Sequence, residues 1–192
     1  MPNIYKTLQY PDKLLARPGR EVVSLDDKTK EIIAKLFVTL EQQTNCAALA
    51  ATQLGVDLRI TVINHAIVKD GLLECTTLAG DESDFVSVKK EQALCLINPK
   101  IIYRSEEMVN IHEGCMSVGG KIHEKVKRHK LVKCEFMAEN GQVLIIKADS
   151  FLSRCIQHEL DHLDGMLFID RLSPLKRKLV DVKFTKRTKK KA

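Results

Sequence analysis

A chain of 192 residues, 44% hydrophobic and 29% charged, is long enough to bury a sizeable core and too mixed in composition for a disordered or fibrous protein. No apolar run approaches the roughly 20 residues that span a bilayer, the opening Met1-Pro2-Asn3-Ile4-Tyr5 has no secretion-signal pattern, and the six scattered cysteines form no Cys-x-x-Cys pair, so thiols are expected rather than disulfides. These features predict a cytoplasmic chain with no membrane partner. The net charge of +6 is uneven: Lys176 to Ala192 hold nine Lys/Arg and one acid, Asp181, a net of +8 that leaves −2 on the rest. That end reads equally as an electrostatic arm for an acidic partner and as a solvated terminus.

In chain order, Tyr10-Pro11-Asp12 predicts a short helical turn through Leu14 and Leu15 that Pro18-Gly19 ends. Leu25-Asp26-Asp27 starts a longer helix, whose Ile32, Ile33, Leu36, Phe37 and Leu40 fall on one face. Ala47 to Gly55 is small and apolar, with one amide, Gln53, and Leu58 to Ile63 reads as a strand around Ile60 and Val62. Asp70 to Gln92 is polar and resembles a surface insertion. Leu94 to Ile102 returns to strand character, and Asn98-Pro99 within it predicts an edge or a bend. Lys130 to Met137 and Val143 to Lys147 are two strands joined at Asn140-Gly141, the signal of a type I′ hairpin. Asp149 or Ser150 then caps a helix that ends at Gly165, and Ser173-Pro174 starts a last, basic helix. The order predicts an α+β fold: antiparallel sheets around one central helix, with a C-terminal helix. Residues 1–192 are expected to form a single domain, with a basic helix and tail at 173–192 and the insertion at 70–92.

The central helix carries His158-Glu159-Leu160-Asp161-His162. Residues four apart on a helix share a face about 5–6 Å apart. Two imidazoles there can hold one metal, with the adjacent glutamate as general base. An ordinary amphipathic helix also carries such a pair by chance. A catalytic site of this kind needs a third ligand. No Glu follows Glu159 and no His follows His162, while Asp161 and Asp164 face other ways on the helix, so the ligand is expected upstream. Cys155, on the same helix, would strain three-point coordination. Cys115 sits in a glycine-flanked setting, Glu113-Gly114-Cys115-Met116-Ser117, but such a thiol is as readily a buried structural cysteine.

Three segments, in this order, resemble peptide deformylase: Ala50-Ala51-Thr52-Gln53, Glu113-Gly114-Cys115-Met116-Ser117 and Gln157-His158-Glu159-Leu160-Asp161-His162-Leu163-Asp164-Gly165. Tyr10-Pro11-Asp12, Ile97-Asn98-Pro99 and Leu172-Ser173-Pro174-Leu175 look like it as well, so the resemblance spans nearly the whole chain. It implies Cys115, His158 and His162 as ligands of one divalent metal, Fe(II) in the cell, with Zn(II), Ni(II) or Co(II) as further candidates. It implies Glu159 as general base and acid, and the Gln53 amide and the backbone N–H of Met116 as oxyanion donors. The substrate would be the N-formylmethionyl end of nascent polypeptides, and formate the product. The substrate backbone would pass Ala48, Leu49 and Gly114, with the methionine side chain near Ile111, Phe151, Cys155 and His158. The basic tail would then be a candidate ribosome contact. Two other readings stay open: a peptidase built on the same helix motif, and a low-activity deformylase-like binding factor. The chain departs from the family pattern at Cys46 and Ala48, where glycines are usual, at Gly119, where proline is common, and at Arg154, where an apolar residue is usual. A cation for the far end of the substrate is sought among Lys121, His123 and Arg128.

Overall fold

A computed structural model of the chain describes residues 6–43, 46–64, 73–77 and 93–189. Two sheets surround one helix. The larger has six strands in the order β1 (Ala48–Ala50), β2 (Ile60–Ile63), β4 (Leu94–Arg104), β7 (Leu131–Met137), β8 (Val143–Asp149) and β3 (Leu73–Thr77). The smaller pairs β5 (Met108–Gly114) with β6 (His123–His129). Every strand pair is antiparallel. Helix α1 (Asp27–Gln42) covers one end of the large sheet, α2 (Ser150–Leu163) touches both sheets, and α3 (Pro174–Lys189) closes the chain. The α+β expectation holds, and no helix among the described residues is long and apolar enough to cross a membrane.

The helix starts follow from local chemistry. Asp12 accepts from the Leu14 N–H and opens the short turn Lys13–Ala16. The Asp26 carboxylate accepts from the Thr29 N–H and caps α1, whose Ile33, Leu36 and Leu40 are buried against β1, β2 and β4. Each such side chain stabilises the packed state by about 1.5–3 kcal/mol. The opposite face of the sheet meets Leu152, Ile156 and Leu160 of α2. The third core lies under the small sheet, where Val118, Ile122 and Val126 meet Phe168 and the Val180 and Phe184 face of α3.

Four expectations change or are sharpened. All of β2 is buried, since α1 covers one face and α2 the other. The segment expected as an insertion supplies β3, an edge strand paired with β8 and anchored by buried Cys75; the rest of 70–92 lies outside the described residues. Asn98-Pro99 sits in neither an edge strand nor a strand end, because β4 runs between β2 and β7. The β4–β7 register shifts between Ile97 and Lys100, and Asn98, at φ 51°, turns its amide to pair both backbone groups of Val22, at 2.8 Å each. Of the two expectations, edge or bend, the bend holds: a bulge accommodates the proline within a central strand. The β7–β8 connection is not type I′, which needs positive φ at two residues. Only Gly141 has it (φ 83°), Gly141 N–H donates to the Ala138 carbonyl at 2.9 Å, and the Asn140 carboxamide accepts from Gln142 N–H.

Candidate active site

Helix α2 carries two kinds of polar side chain on different faces. Gln157 clamps the helix to the end of β6: its amide oxygen accepts from His129 N–H at 3.0 Å and its nitrogen donates to the His129 carbonyl at 2.8 Å. Asp161 points away from the histidines, as expected, and receives the guanidinium of Arg128 at 2.6 Å and that of Arg171. His158 and Glu159 face the other way and line a cleft of about 310 Å³ bounded by β1, the end of β5 and the first turns of α2, and His162, 1% exposed, lies behind them beside Cys115.

Cys115 ends β5 at that cleft. Its Sγ lies 3.2 Å from His162 Nε2, and the ligand atoms of Cys115, His158 and His162 all fall within 4.8 Å of one another. Burial alone would raise the Cys115 thiol, but the two imidazoles facing it outweigh burial and hold it well below its ordinary range. A ready thiolate with two imidazoles is a donor set that suits Zn(II) or Fe(II). The set is oriented from behind. Glu113 is buried, yet Arg128 and His158 hold its pKa down to about 2. An ionised carboxylate only accepts, so His158 Nδ1, 3.0 Å away, is the donor and its Nε2 is left to face Cys115. The residues therefore fit a single divalent ion.

Glu159 is 3% exposed beside this set, and its Oε2 has no hydrogen-bond partner among the described residues. Burial raises its pKa, against the pull of His162 and His158. Gln53, also buried, sits in the 3-10 turn Ala51–Leu54 that follows β1. Its Oε1 accepts from Ala50 N–H at 2.9 Å, which turns Nε2 towards Ser117 Oγ (3.1 Å) and Cys115 Sγ (3.6 Å). A surface-loop amide is thereby excluded. Met116 opens the turn Met116–Val118, so its N–H belongs to the unpaired donors of a first turn. Gly119 closes that turn at φ 74°, a value the proline ring cannot take.

Strand β1 is an edge strand. The Ala47 carbonyl accepts from Asn64 N–H on the β2 side, so by alternation Ala48 presents its backbone groups to the cleft. The Ala48 carbonyl already receives the Cys46 thiol, 3.1 Å away. Burial pushes that thiol up to about 12, so it stays a donor.

Of the residues expected to touch substrate, Ala48, Gly114, Phe151 and Cys155 line the cleft. Leu49 does not: the same alternation turns its side chain into the core. Ile111 is also absent from the lining and is 42% exposed on β5. Of the cation candidates, His123 lines the cleft and Lys121 does not. Arg128 is 1% exposed and bonded to Glu113 and Asp161, so it is a support of the site rather than a substrate contact. The Glu113–Arg128–Asp161–Arg171 chain of charges was not legible as such. Its only local signal is a set of charged residues at strand and helix positions that otherwise alternate apolar and polar.

A helix bearing His-Glu-x-x-His, a thiolate from a neighbouring strand end and a buried free carboxylate define a mononuclear metal-dependent hydrolase. The comparisons with known proteins narrow that class. The model of the family described as polypeptide deformylase matches residues 4–178, and the chain belongs to that family. It is 43% identical over 185 residues to peptide deformylase 1 of Coxiella burnetii, covering 95% of this chain and 96% of that one. It is 37% identical over 184 residues to the peptide deformylase of Pseudoalteromonas translucida, covering 96% of each. The crystal structure of peptide deformylase from Ehrlichia chaffeensis superposes with a TM-score of 0.80 at 31% identity, covering 98% of this chain and 99% of that one. A second structure of the Ehrlichia enzyme, in complex with actinonin, gives a TM-score of 0.78 at 32% identity, covering 96% and 97%.

Proposed function

We infer that this chain is a peptide deformylase, which hydrolyses the formyl group from N-formylmethionyl peptides. The observation that carries this is the convergence of Cys115, His158 and His162 on one another, at a cleft that Cys115 and His158 line together with Glu159 and Gln53. Neither the peptidase nor the low-activity binding factor is favoured by the family assignment.

The proposed roles follow from the geometry. Cys115, His158 and His162 would hold the metal, which when bound lowers the pKa of water from about 15.7 towards 7 and polarises the formyl carbonyl. Glu159, buried and free at Oε2, takes the proton from the attacking water. The water oxygen bonds to the formyl carbon, and Gln53 Nε2 and the Met116 N–H donate to the carbonyl oxygen as it gains negative charge. Glu159 returns the proton to the amine nitrogen as the carbon–nitrogen bond breaks, and formate and a free amino terminus leave. The peptide runs in extended form along Ala48 and past Gly114, with the methionine side chain towards Phe151 and Cys155.

We propose Fe(II) as the resident metal in the cell, since a thiolate and two imidazoles bind it well, with Zn(II), Ni(II) or Co(II) as substitutes. We propose further that residues 1–192 act as one cytoplasmic domain, and that the basic end from Lys176 onward meets the anionic surface of the ribosome. Formate release from formyl-Met-Ala-Ser, measured with metal content on protein purified without oxygen, tests the assignment. Bound metal without formate release, for every metal loaded, would refute it.

A further inference from the structure

The cleft wall contains one permanently charged cation, Arg154 of α2. It lies one turn before His158, on the face of the helix that looks into the cleft. Its guanidinium rests over the Phe151 ring, 4.9 Å from the centroid. Its Nε is buried, and no hydrogen-bond acceptor among the described residues reaches it. The two acids of the cleft do not answer it. Glu113 is committed to Arg128 and His158, and Glu159 faces the metal ligands. His112 and His123, also on the lining, bring no negative charge. A buried donor left unmade is costly, and a charge-assisted hydrogen bond to it is stronger than a neutral one. Among the described residues, the cleft is therefore short of an anion for Arg154.

We propose that Arg154 is a specificity-determining residue that receives a carboxylate of the substrate, so that this chain favours formyl-methionyl peptides with aspartate or glutamate directly after the methionine. The inference rests on the deformylase reading above. With the methionine side chain beside Phe151 and Cys155, the guanidinium stands at the wall of the same pocket, and in this proposal its long arm reaches the side chain of the following residue at the pocket's rim. The cation–π contact with Phe151, 4.9 Å from the ring centroid, holds the guanidinium at the cleft wall before the substrate arrives. A lysine after methionine meets the same charge with repulsion.

The test compares kcat/KM for formyl-Met-Asp-Ala, formyl-Met-Ala-Ala and formyl-Met-Lys-Ala amides on the wild type, Arg154→Leu and Arg154→Lys. The wild type is expected to prefer aspartate over lysine by about tenfold or more, the low end of what a charge-assisted bond is worth, mainly through KM. Arg154→Leu is expected to bring that ratio near one, and Arg154→Lys to keep part of it. Raising salt from 50 to 500 mM should shrink the wild-type ratio and leave that of Arg154→Leu alone. Equilibrium binding of the deformylated Met-Asp-Ala and Met-Lys-Ala amides should show the same preference and the same loss. An aspartate-to-lysine ratio that is near one in the wild type, or unchanged in Arg154→Leu, overturns the proposal. Loss of activity on all three peptides by the metal-loaded wild type would instead refute the deformylase reading.

Discussion

Replacing Arg128 by methionine removes one cation from beneath the metal ligands and leaves two buried carboxylates facing each other. Arg128 donates to both Glu113 oxygens, at 2.8 and 2.9 Å, and to Asp161 at 2.6 Å, and is 1% exposed. Breaking a buried ion pair from one side costs about 3–5 kcal/mol. The pKa of Glu113 falls from 4.5 to about 2 on folding, against burial, through Arg128 and His158 together; at 1.36 kcal/mol per unit this is about 3 kcal/mol of stability, of which Arg128 carries a part. For a chain of this length, 3–4 kcal/mol lowers Tm by about 10 °C. The pH dependence gives the diagnostic sign. In the wild type the Glu113 contribution is complete above pH 4.5 and is lost as pH falls towards 2, because the folded protein resists protonation. In Arg128→Met, burial raises Glu113 with one of its two counter-charges gone, so the folded protein takes up a proton more readily than the unfolded chain. The variant then recovers stability as pH falls, and the gap to wild type narrows. Thermal unfolding followed by circular dichroism at pH 5 and 7.5 measures both quantities. A Tm within 2 °C of wild type, or a gap that is equal at the two pH values, would refute the argument that this guanidinium neutralises the site from behind.

Glu159→Gln keeps the shape of the buried side chain and removes its capacity to accept a proton, so kcat should fall by about 10²–10⁴ with metal content unchanged; a variant that keeps more than a tenth of the wild-type rate would exclude Glu159 as the proton carrier. Cys46→Ala frees the Ala48 carbonyl from the thiol that now donates to it. Since a neutral hydrogen bond is worth about 0.5–1.5 kcal/mol net, KM for formyl-Met peptides should fall about threefold with little change in kcat, and a raised KM would show that the thiol packs rather than competes.

The local chemistry of the chain was legible because it needs only neighbours. The helix motif places His158 and His162 one turn apart wherever that helix sits, Asp12 and Asp26 open their elements by accepting from backbone N–H groups within three residues, and Pro174 stands at the first position of α3. Cys115 could be named only through resemblance. Nothing in its own segment states that the end of β5 meets the second half of α2, which depends on the small sheet packing on Phe168 and the α3 face.

What tertiary structure decided is mostly a matter of where charge and backbone donors find partners far along the chain. Arg128 looked like a surface cation for substrate and is instead the counter-ion of Glu113 and Asp161, partners 15 and 33 residues away. Asn98-Pro99 read as an edge or a bend because a proline cannot donate to a ladder, and the packed sheet decided for the bend: a bulge and the distant Val22 backbone supply what the ladder lacks there. Composition and periodicity determined the class of fold and the identity of the helix that carries the histidine pair, since hydrophobic spacing and caps act over one or two turns. The meeting of Cys115 with that pair, the buried charges that orient the imidazoles and the guanidinium of Arg154, unanswered among the described residues, were decided only when the two sheets closed on α2, because burial and charge pairing are properties of the packed molecule and not of any segment within it.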